Sequence, residues 1–326
     1  MSKWDKEYLK LCKKILISGV EVENRTGVNT IKVPAHHFEF NVGEEFPILT
    51  SKQLFIRQAI LEMMWIYQVK SNDVNWLQDR NVHIWDEWKI DEDGIYRIYE
   101  PVNKYIDNEV MLKDLDGNIM YKDDKPIMVK SNIPGKTIKD AKYYGIDKAG
   151  TIGTAYGYIV DRFKLIDKLI DTLKYNKTDR RMILSLWQDD YLKTAVLPSC
   201  VWSSEWDVTG NKLNLMVHQR SCDVPLGLPF NVTQYAVLQK MIAQVTGLEA
   251  GMLNWSIKDA HIYLNQIEGI ETQIKRYEQL GDLKAPEIWI NPDVKDFNEF
   301  DNSKECTDVK LLNYKHHGKI SFPITQ

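Results

Sequence analysis

The sequence contains no closely spaced pair of cysteines, although it has four of them, at positions 12, 200, 222 and 306 of a 326-residue chain. A C-x-x-C pair would have indicated a redox or zinc motif. None of the seven histidines lies in an H-E-x-x-H motif or beside cysteines at ligand spacing, so we expect no metal site. Scattered cysteines without an export signal predict reduced thiols in a cytoplasmic protein.

The sequence also has no long apolar run and no large excess of either charge. No segment reaches the apolar length of a membrane span, and the first ten residues, MSKWDKEYLK, lack the apolar core of a signal peptide. The formal net charge is −4, which gives no reason to expect nucleic acid or an anionic membrane as the main partner. Any anion that the protein binds must therefore meet a local cluster of cations.

What the sequence does contain is the composition of a globular protein, 44% hydrophobic and 27% charged, with mixed helix and strand patterns. The absence of internal repeats and low-complexity linkers predicts a single α+β domain over residues 1–326. Residues 91–150, rich in Lys, Asp, Asn and Tyr, indicate an inserted small β-rich segment, with a hairpin turn at Asp116 and Gly117. Apolar periodicity predicts helices at 6–18, 51–67 (with Ser51 as N-cap), 74–79, 162–174, 233–246 and 270–280, and strands at 31–33, 38–40, 182–187, 255–257, 288–290 and 310–314.

The most informative stretch runs from residues 197–200 (LPSC) through 219–223 (QRSCD) to 229–231 (PFN). Two alternating segments lie between the first two motifs, with Gly210 and Asn211 at a plausible hairpin turn. Such a hairpin brings Cys200 close to Arg220. A thiol near a fixed positive charge is a useful nucleophile, and we expect Cys200 to be more thiolate-like than a free cysteine, whose pKa is ~8.5.

Three arginines at two places in the chain are further candidates for binding an anion. Arg25 lies at the tip of a turn-like loop, although most such residues are simply solvated. Arg180 and Arg181 open a predicted strand, where paired arginines usually face solvent. Two guanidinium groups nevertheless suit a phosphate dianion, and the sequence leaves both interpretations open.

Other polar or aromatic residues stand in unusual surroundings. Glu62 interrupts the apolar run 60–65 and either points outward or is retained for function, because burying an unpaired carboxylate is costly. Trp85 and Trp88 suit a wall on which a flat ring stacks, although core packing is the more common fate of tryptophan. His261 and Tyr263 share a face if the preceding strand continues, and such a pair is more often part of a core. A thiol, a carboxylate and an amide among arginines favour a nucleotide-modifying enzyme over a plain binding module.

Ordered motifs resemble those of the folate-dependent thymidylate synthase family, in which a cysteine is the nucleophile. They are 197–200 (LPSC), 219–223 (QRSCD), 226–231 (LGLPFN) and 259–265 (DAHIYLN), with further similarity at 25–27, 61–65, 84–88, 155–157 and 179–181. The resemblance covers nearly the whole chain outside residues 91–150, which we expect to be an insertion atypical of the family.

The resemblance implies a large twisted mixed sheet with packing helices, and a homodimer in which the sheets pack back to back. It also implies reductive methylation of dUMP to dTMP with 5,10-methylenetetrahydrofolate as co-substrate and without a metal. In that chemistry the Cys200 thiolate adds to C6 of the uracil ring, C5 becomes nucleophilic, and dihydrofolate is released.

The resemblance also implies a role for each matching residue. Arg180 and Arg181 match a pair that the partner subunit contributes to the phosphate site. Catalytic roles are implied for Cys200, Glu62, Tyr156, Asp223 and Asn231. Binding of dUMP is implied for Arg25, Arg180, Arg181, Arg220, Ser221, Cys222, Asp223, Asn231, His261 and Tyr263. Binding of folate is implied for Lys52, Ile84, Trp85, Trp88, Asp223, Gly227, Phe230 and Thr325.

The chain departs from the family pattern at several positions. Val201 and Phe55 stand where many members carry histidine, Gln53 replaces a basic residue, and the chain ends Ile-Thr-Gln at 324–326. The alternative activity is a dUMP hydroxymethylase of the same superfamily, in which water instead of hydride resolves the intermediate. A non-catalytic nucleotide-binding homologue is the alternative from another class.

Overall fold

The computed structural model describes residues 2–100 and 106–325. Its α-helices are Lys3–Ser18 (α1), Ile56–Tyr67 (α2), Val74–Gln78 (α3), Gly157–Phe163 (α4), Leu165–Tyr175 (α5), Asp189–Leu192 (α6), Gly227–Val245 (α7) and Ile267–Leu280 (α8). Its strands are Val20–Val22 (β1), Thr30–Asn41 (β2), Ile95–Tyr99 (β3), Glu109–Lys113 (β4), Tyr121–Lys122 (β5), Lys125–Pro126 (β6), Met128–Lys130 (β7), Ile138–Tyr143 (β8), Ile183–Ser185 (β9), Val201–Thr209 (β10), Lys212–Gln219 (β11), Cys222–Asp223 (β12), Glu249–Tyr263 (β13), Glu287–Ile290 (β14) and Val309–Leu312 (β15). Across these residues, no helix has the length and apolar character that a membrane crossing needs.

The largest sheet has the strand order β1-β2-β13-β11-β10-β9, with β12 paired to β13 beside this path. β13 runs parallel to β11 and β12, and the other neighbours are antiparallel. The carboxyl ends of β11 and β13 therefore lie at one edge of the sheet, where the start of β10 also lies because Val201 pairs with Gln219. The predicted fold class, α+β with a large mixed sheet and packing helices, is confirmed.

Helix α7 forms the centre of the core. It contacts β11, β13 and α2, and its buried residues lie on all sides, as expected for a helix enclosed by other elements. Helix α1 covers β2, where the indole of Trp4 meets the rings of Phe38 and Phe40 edge-on at centroid distances of 5.0 and 4.9 Å. Helices α1 and α7 thus both pack on strands of the large sheet.

Residues 91–150 contain a separate sheet with the strand order β3-β8-β4-β7. It has its own small core, formed by Ile95, Leu112, Val129, Ile138 and Ala141. The β structure predicted for this segment is confirmed, and Asp116 and Gly117 lie in the turn after β4, closed by a bond from Gly117 N to Asp114 O of 3.1 Å. Residues 101–105 lie outside the described chain.

The predicted start of the second helix at Ser51 is wrong. Helix α2 begins at Ile56, and Ser51 is buried with its backbone N–H donating to Asp5 Oδ1 at 2.8 Å. The Ser51 hydroxyl accepts a hydrogen bond from Gln273 at 2.8 Å, so it is not available as a cap. Ser51 thus bonds to Asp5 and Gln273, which are distant in sequence, and not to the backbone of the following helix.

Three further predictions of local structure need correction. The two strands predicted at 31–33 and 38–40 are one continuous strand, β2. The helix predicted at 162–174 is interrupted at Lys164, whose φ of +53° ends α4 and precedes α5. The strand predicted at 182–187 is limited to β9, while the predicted helices at 233–246 and 270–280 are confirmed as parts of α7 and α8.

Candidate active site

Cys200 immediately precedes β10, at the edge where β11 ends. The hairpin predicted at residues 210–211 is present, and Arg220 N donates to Cys200 O at 2.9 Å. Cys200 N donates to the hydroxyl of Tyr156 at 3.0 Å. The thiol is thus held between the hairpin and the turn that precedes α4.

Arg220 is anchored to the loop that carries the thiol. Its Nε donates to Ser199 O at 3.0 Å and its Nη2 to Pro198 O at 2.6 Å. The guanidinium also lies over the ring of Trp187, 5.5 Å from its centroid. The predicted proximity of Arg220 to Cys200 is therefore present through backbone contacts.

The expectation of a thiolate-like Cys200 is wrong in this structure. The pKa of the Cys200 thiol is raised, because burial disfavours the thiolate more than Arg220, Arg25 and the Tyr156 hydroxyl favour it. Asp223 adds a smaller effect in the same direction as burial. Sequence reveals the neighbouring arginine but not the depth of the thiol.

Glu62 projects from α2 into the interior, with only 9% of its surface exposed. Its Oε1 accepts a hydrogen bond from Trp85 Nε1 at 2.7 Å, and its Oε2 accepts one from Gln234 Nε2. Burial raises the pKa of Glu62 to about 7, although both hydrogen bonds favour the ionised form. The carboxyl group is therefore close to half-ionised at neutral pH.

Trp85 connects Glu62 to the rings around it. It lies 5.3 Å from Tyr156 and 5.5 Å from Trp88, in edge-on contacts between ring centroids. Trp85 is 7% exposed, whereas Trp88 and Ile84 are half-buried. Trp85 is thus a core residue and Trp88 packs against that core, while the role of the pair as a wall for a flat ring stays a prediction.

Tyr156 stands at a strained backbone position, with φ +49° and ψ −107° just before α4. A non-glycine residue in this region costs conformational energy and persists where the surroundings hold it in place. Here the ring packs against Trp85 while the hydroxyl receives the Cys200 N–H. Burial raises the pKa of Tyr156, so its hydroxyl stays protonated.

Asn231 lies in the first turns of α7 and belongs to a group of amides. Gln219 Nε2 donates to Asn231 Oδ1 at 3.3 Å, and Asn231 Nδ2 donates to Gln234 Oε1 at 3.5 Å. Sequence reasoning missed Gln219 and Gln234 as site residues. The available signal for Gln234 was its spacing of three residues from Asn231 on the same predicted helix face.

His261 and Tyr263 lie at the carboxyl end of β13, which continues to Tyr263 as the expectation required. Asp259 has φ +57°, and it is the position of β13 that lies opposite Pro34 and is unpaired in the ladder with β2, although the register continues unchanged on either side. His261 Nδ1 lies 3.1 Å from Asp259 O, and the rings of His261 and Tyr263 meet edge-on at 5.2 Å. The two rings therefore lie together at the end of β13 that borders the site.

Asp223 occupies β12, next to the start of α7. Its Oδ1 accepts from Leu226 N and its Oδ2 from Gln266 Nε2, both at 3.0 Å. Burial raises the pKa of Asp223 against these two hydrogen bonds. Gln266 also donates to Pro323 O at 3.3 Å, which links Asp223 to the C-terminal segment.

Gly227, at the start of α7, lies close to both Asp223 and Asn231. A Cβ added to Gly227 would lie 3.6 Å from Asn231 Oδ1 and 4.0 Å from Asp223 Cβ, which are ordinary contact distances. Thr325 Oγ1 is buried without a hydrogen-bond partner, and Phe230 is half-buried nearby in sequence. A buried hydroxyl without a hydrogen-bond partner is a group that a polar ligand satisfies.

Lys52 is buried at 3% exposure, and its ammonium donates to Pro225 O. The Lys52 ammonium also lies 4.4 Å from the centroid of Phe322, and burial lowers the pKa of Lys52 to about 8.

Two of the residues predicted to bind the nucleotide follow Arg220. Ser221 is half-buried, and its carbonyl oxygen accepts a hydrogen bond from Gln219 Nε2 at 3.1 Å. The side chain of Cys222 lies in the hydrophobic core, so any contact of this residue with a nucleotide falls to its main chain.

The predicted arginines are not all brought together. Arg25 is exposed but acts electrostatically on Cys200 and Tyr263, so it lies on the site side of its loop. Arg180 and Arg181 are exposed before β9, and Arg181 Nε and Nη2 pair with the carboxylate of Asp179 at 2.9 and 3.0 Å. Within residues 2–100 and 106–325, no cluster of three or more His, Cys, Asp or Glu side chains is arranged to hold a metal ion.

A partly buried thiol, a buried carboxyl group with a pKa of about 7 and an amide at the start of a helix form a candidate enzyme site with the groups that covalent catalysis uses. Residues 6–326 match the family described as thymidylate synthase. The chain is 40% identical to a thymidylate synthase of Clostridium beijerinckii over 325 residues, 100% of each chain, and 35% identical to thymidylate synthase 1 of Bacillus subtilis over 343 residues, 99% of each chain. A solved structure of thermostable thymidylate synthase A from Bacillus subtilis is similar with a TM-score of 0.75, at 34% identity and 99% coverage of both chains.

The chain belongs to the thymidylate synthase family. The predicted family and the predicted thymidylate synthase-like fold are confirmed.

Proposed function

We propose that this protein catalyses the reductive methylation of dUMP to dTMP, a step of nucleotide biosynthesis, with 5,10-methylenetetrahydrofolate as co-substrate. The observation that carries the proposal is the meeting of Cys200, Tyr156, Trp85 and Glu62 in one hydrogen-bonded and ring-packed group, next to Asn231. Membership of the thymidylate synthase family supports this activity. The dUMP hydroxymethylase alternative is not favoured, because the matched family and the named relatives are synthases.

Cys200 is the nucleophile that forms a bond to C6 of the uracil ring. Its raised pKa means that the thiol is mostly protonated until a proton is removed during attack. Addition at C6 places negative charge on C5 and O4, and the Asn231 amide donates to O4 while accepting from N3–H. The Tyr156 hydroxyl, fixed by Cys200 N, keeps the loop carrying the thiol in place.

Glu62 holds and moves protons at the other side of the ring. With a pKa of about 7, it is present in both protonation states at neutral pH, which suits a group that first takes and then returns a proton. The proton on C5 leaves after C5 has formed its bond to the one-carbon unit. Trp85 fixes the carboxyl orientation through its indole N–H.

Folate supplies both the one-carbon unit and the hydride, so the reaction needs no separate reductant. Trp85, Trp88 and Ile84 form the wall against which the pterin lies, and Gly227, which is close to Asp223 and Asn231, also contacts it. The proposed folate site is completed by Lys52, Phe230 and Thr325. The Thr325 hydroxyl is buried and has no hydrogen-bond partner among the described residues.

The nucleotide phosphate is bound by cations from two subunits of a homodimer. In one subunit, the phosphate is bound by Arg25, Arg220 and the hydroxyl of Ser221, which Cys222 and Asp223 adjoin. The sugar is contacted by His261 and Tyr263. Arg180 and Arg181 complete the phosphate site of the partner, since they are exposed on their own chain. The protein acts in the cytoplasm, without nucleic acid.

The chain works as a single catalytic domain with residues 91–150 as an atypical insertion. Ion pairs connect the small sheet to the site-bearing part. Lys136 Nζ lies 3.2 Å from Glu87 Oε1, and Lys193 Nζ lies 2.6 Å from Asp116 Oδ1. The first of these pairs adjoins the tryptophan wall.

The direct test is turnover of dUMP with 5,10-methylenetetrahydrofolate, followed by absorbance of dihydrofolate and by mass spectrometry of the nucleotide product. The proposal expects dTMP and dihydrofolate in equal amounts from wild type and neither product from Cys200→Ser. A hydroxymethyl product without dihydrofolate would instead establish the hydroxymethylase. Nucleotide binding without turnover would favour a regulatory homologue.

A further inference from the structure

A continuous row of hydrogen-bonded side chains crosses the site from β13 to α2. Trp255 Nε1 donates to Gln219 Oε1 at 2.9 Å, and Gln219 Nε2 donates to Asn231 Oδ1 at 3.3 Å. Asn231 Nδ2 donates to Gln234 Oε1 at 3.5 Å, and Gln234 Nε2 donates to Glu62 Oε2. The row thus joins the amide that contacts the base to the carboxyl group that moves protons.

The direction of this row is fixed by its two ends. The indole of Trp255 is a donor only, whereas an ionised Glu62 is an acceptor only. Each amide between them both donates and accepts, so a single assignment of oxygen and nitrogen satisfies every link. Turning the Asn231 amide over would place its nitrogen against Gln219 Nε2 and its oxygen against Gln234 Oε1.

Gln234 is the link that depends on Glu62. It is 4% exposed and follows Asn231 by three residues on α7, so both side chains leave the same face of the helix. The titratable groups that act on or respond to Glu62 are Tyr156, before α4, and Tyr235, on α7. Burial raises the pKa of both tyrosines, so both are neutral and neither replaces the carboxylate as the charged end of the row.

We propose that Gln234 is a positioning residue that anchors the Asn231 amide to Glu62 and holds it in the one orientation that accepts a uracil ring and rejects a cytosine ring. The inference rests on the proposed role of Asn231 as the group that contacts the base. In the fixed orientation Asn231 offers a free N–H to an acceptor and an oxygen lone pair to a donor. Uracil presents O4 and N3–H to these groups, whereas cytosine presents an amino group and an unprotonated N3.

The first test compares Gln234→Met with Gln239→Met. Gln239 is an equally buried glutamine on α7 that donates to Leu213 O and Met252 O, away from the site, so it controls for the loss of a buried amide. Dissociation constants for dUMP and dCMP are measured by calorimetry. Gln234→Met is expected to reduce the preference for dUMP over dCMP by about tenfold or more, while Gln239→Met keeps it. An unchanged preference in a folded Gln234→Met protein would overturn the proposal.

The second test uses Gln234→Glu, which keeps the shape of the side chain. While the introduced carboxyl group is protonated, it donates its O–H to Glu62 and accepts from Asn231, as the amide does. After ionisation it has no proton to donate and repels Glu62, and the two carboxyl groups titrate as a pair. The dUMP preference of this variant is expected to be retained at pH 5 and lost at pH 8. In wild type, Gln234 still donates to the carbonyl oxygen of Glu62 when that carboxyl group is protonated, so the preference is expected to change less. A preference that is independent of pH in this variant contradicts the proposal.

A reference variant separates this inference from the proposed function. If Asn231→Ala leaves the preference for dUMP unchanged, the proposed role of Asn231 itself fails. If Asn231→Ala abolishes the preference while Gln234→Met retains it, Asn231 acts without Gln234 and only the present inference fails.

Discussion

The indole of Trp85 donates a hydrogen bond of 2.7 Å to Oε1 of Glu62, inside a site where that carboxyl group is 9% exposed. Burial raises the pKa of Glu62 to about 7, and this hydrogen bond is the first of the two effects that oppose the rise. The pair therefore sets the pH range in which Glu62 exchanges protons, and the site is sensitive to the loss of a single donor.

Trp85→Phe removes that donor and raises the pKa of Glu62 further. Because catalysis needs the ionised carboxylate to take a proton, the acidic limb of the kcat profile, centred near pH 7 in wild type, is expected to move to higher pH. Trp65→Phe is the matched control, since Trp65 packs on Trp85 but donates to Asp73 O. An unshifted limb in Trp85→Phe, or an equal shift in both variants, would contradict the assignment.

Glu62→Gln is expected to lose activity, and at alkaline pH it is expected to be more stable to unfolding than wild type. The folded-state pKa of Glu62 is raised, so the stability that protonation contributes is present below about pH 4.5 and is lost as the pH rises to about 7. Removing the titratable group should therefore stabilise the variant relative to wild type at pH 8, by at most roughly 3 kcal/mol, but not at pH 4.5. Urea unfolding at both pH values checks this, and a pH-independent difference would show that Glu62 does not titrate as described.

The Cys200 thiol should react more slowly than an accessible free thiol. Its raised pKa predicts an alkylation rate with iodoacetamide that increases only above the pH range of a model cysteine. Arg220→Met removes a charge that favours the thiolate, so it should move the profile higher still. Cys200→Ser shows that the labelling belongs to this residue. A profile at or below that of the model thiol would be inconsistent with the buried position.

The C-terminal segment, residues 319–325, packs against α8 where the ring of Phe322 meets Gly269, and an added methyl group would break this contact. A Cβ on Gly269 would lie 2.6 Å from Cε1 of Phe322, the ring that Lys52 covers. Gly269→Ala should therefore displace the segment and raise the KM for folate several-fold, with little change in the dissociation constant for dUMP. Glu268→Ala, at an exposed neighbouring position of α8, should leave both unchanged. Equal effects of the two substitutions would argue against the contact.

The local patterns that the sequence predicted well are those set by neighbouring residues. The hairpin at residues 210–211, helix α7 and the continuation of β13 to Tyr263 follow from periodicity and turn chemistry. Ser51 was misassigned because its partners, Asp5 and Gln273, are distant in sequence. The raised pKa of Cys200 depends on depth, which no motif encodes.

The row of hydrogen-bonded side chains from Trp255 to Glu62 could not be predicted from the sequence, because its members are distant in sequence. Gln219 and Gln234 become site residues only when β11, α7 and α2 meet around Asn231 and Glu62. The motifs did identify Cys200, Arg220, Asn231 and Glu62, which the fold brings to one edge of the large sheet. Arg180 and Arg181 remain predictions that depend on a second subunit.

The most direct measurement of the central claim is intact-protein mass spectrometry after incubation with 5-fluoro-dUMP and 5,10-methylenetetrahydrofolate, followed by peptide mapping. Fluorine at C5 cannot leave as a proton, so a reaction that starts with addition of Cys200 to C6 stops at a covalent adduct. The account predicts a mass increase equal to nucleotide plus folate, confined to the peptide that contains Cys200 and absent in Cys200→Ser. An unmodified wild-type protein, or an adduct on another residue, would contradict it.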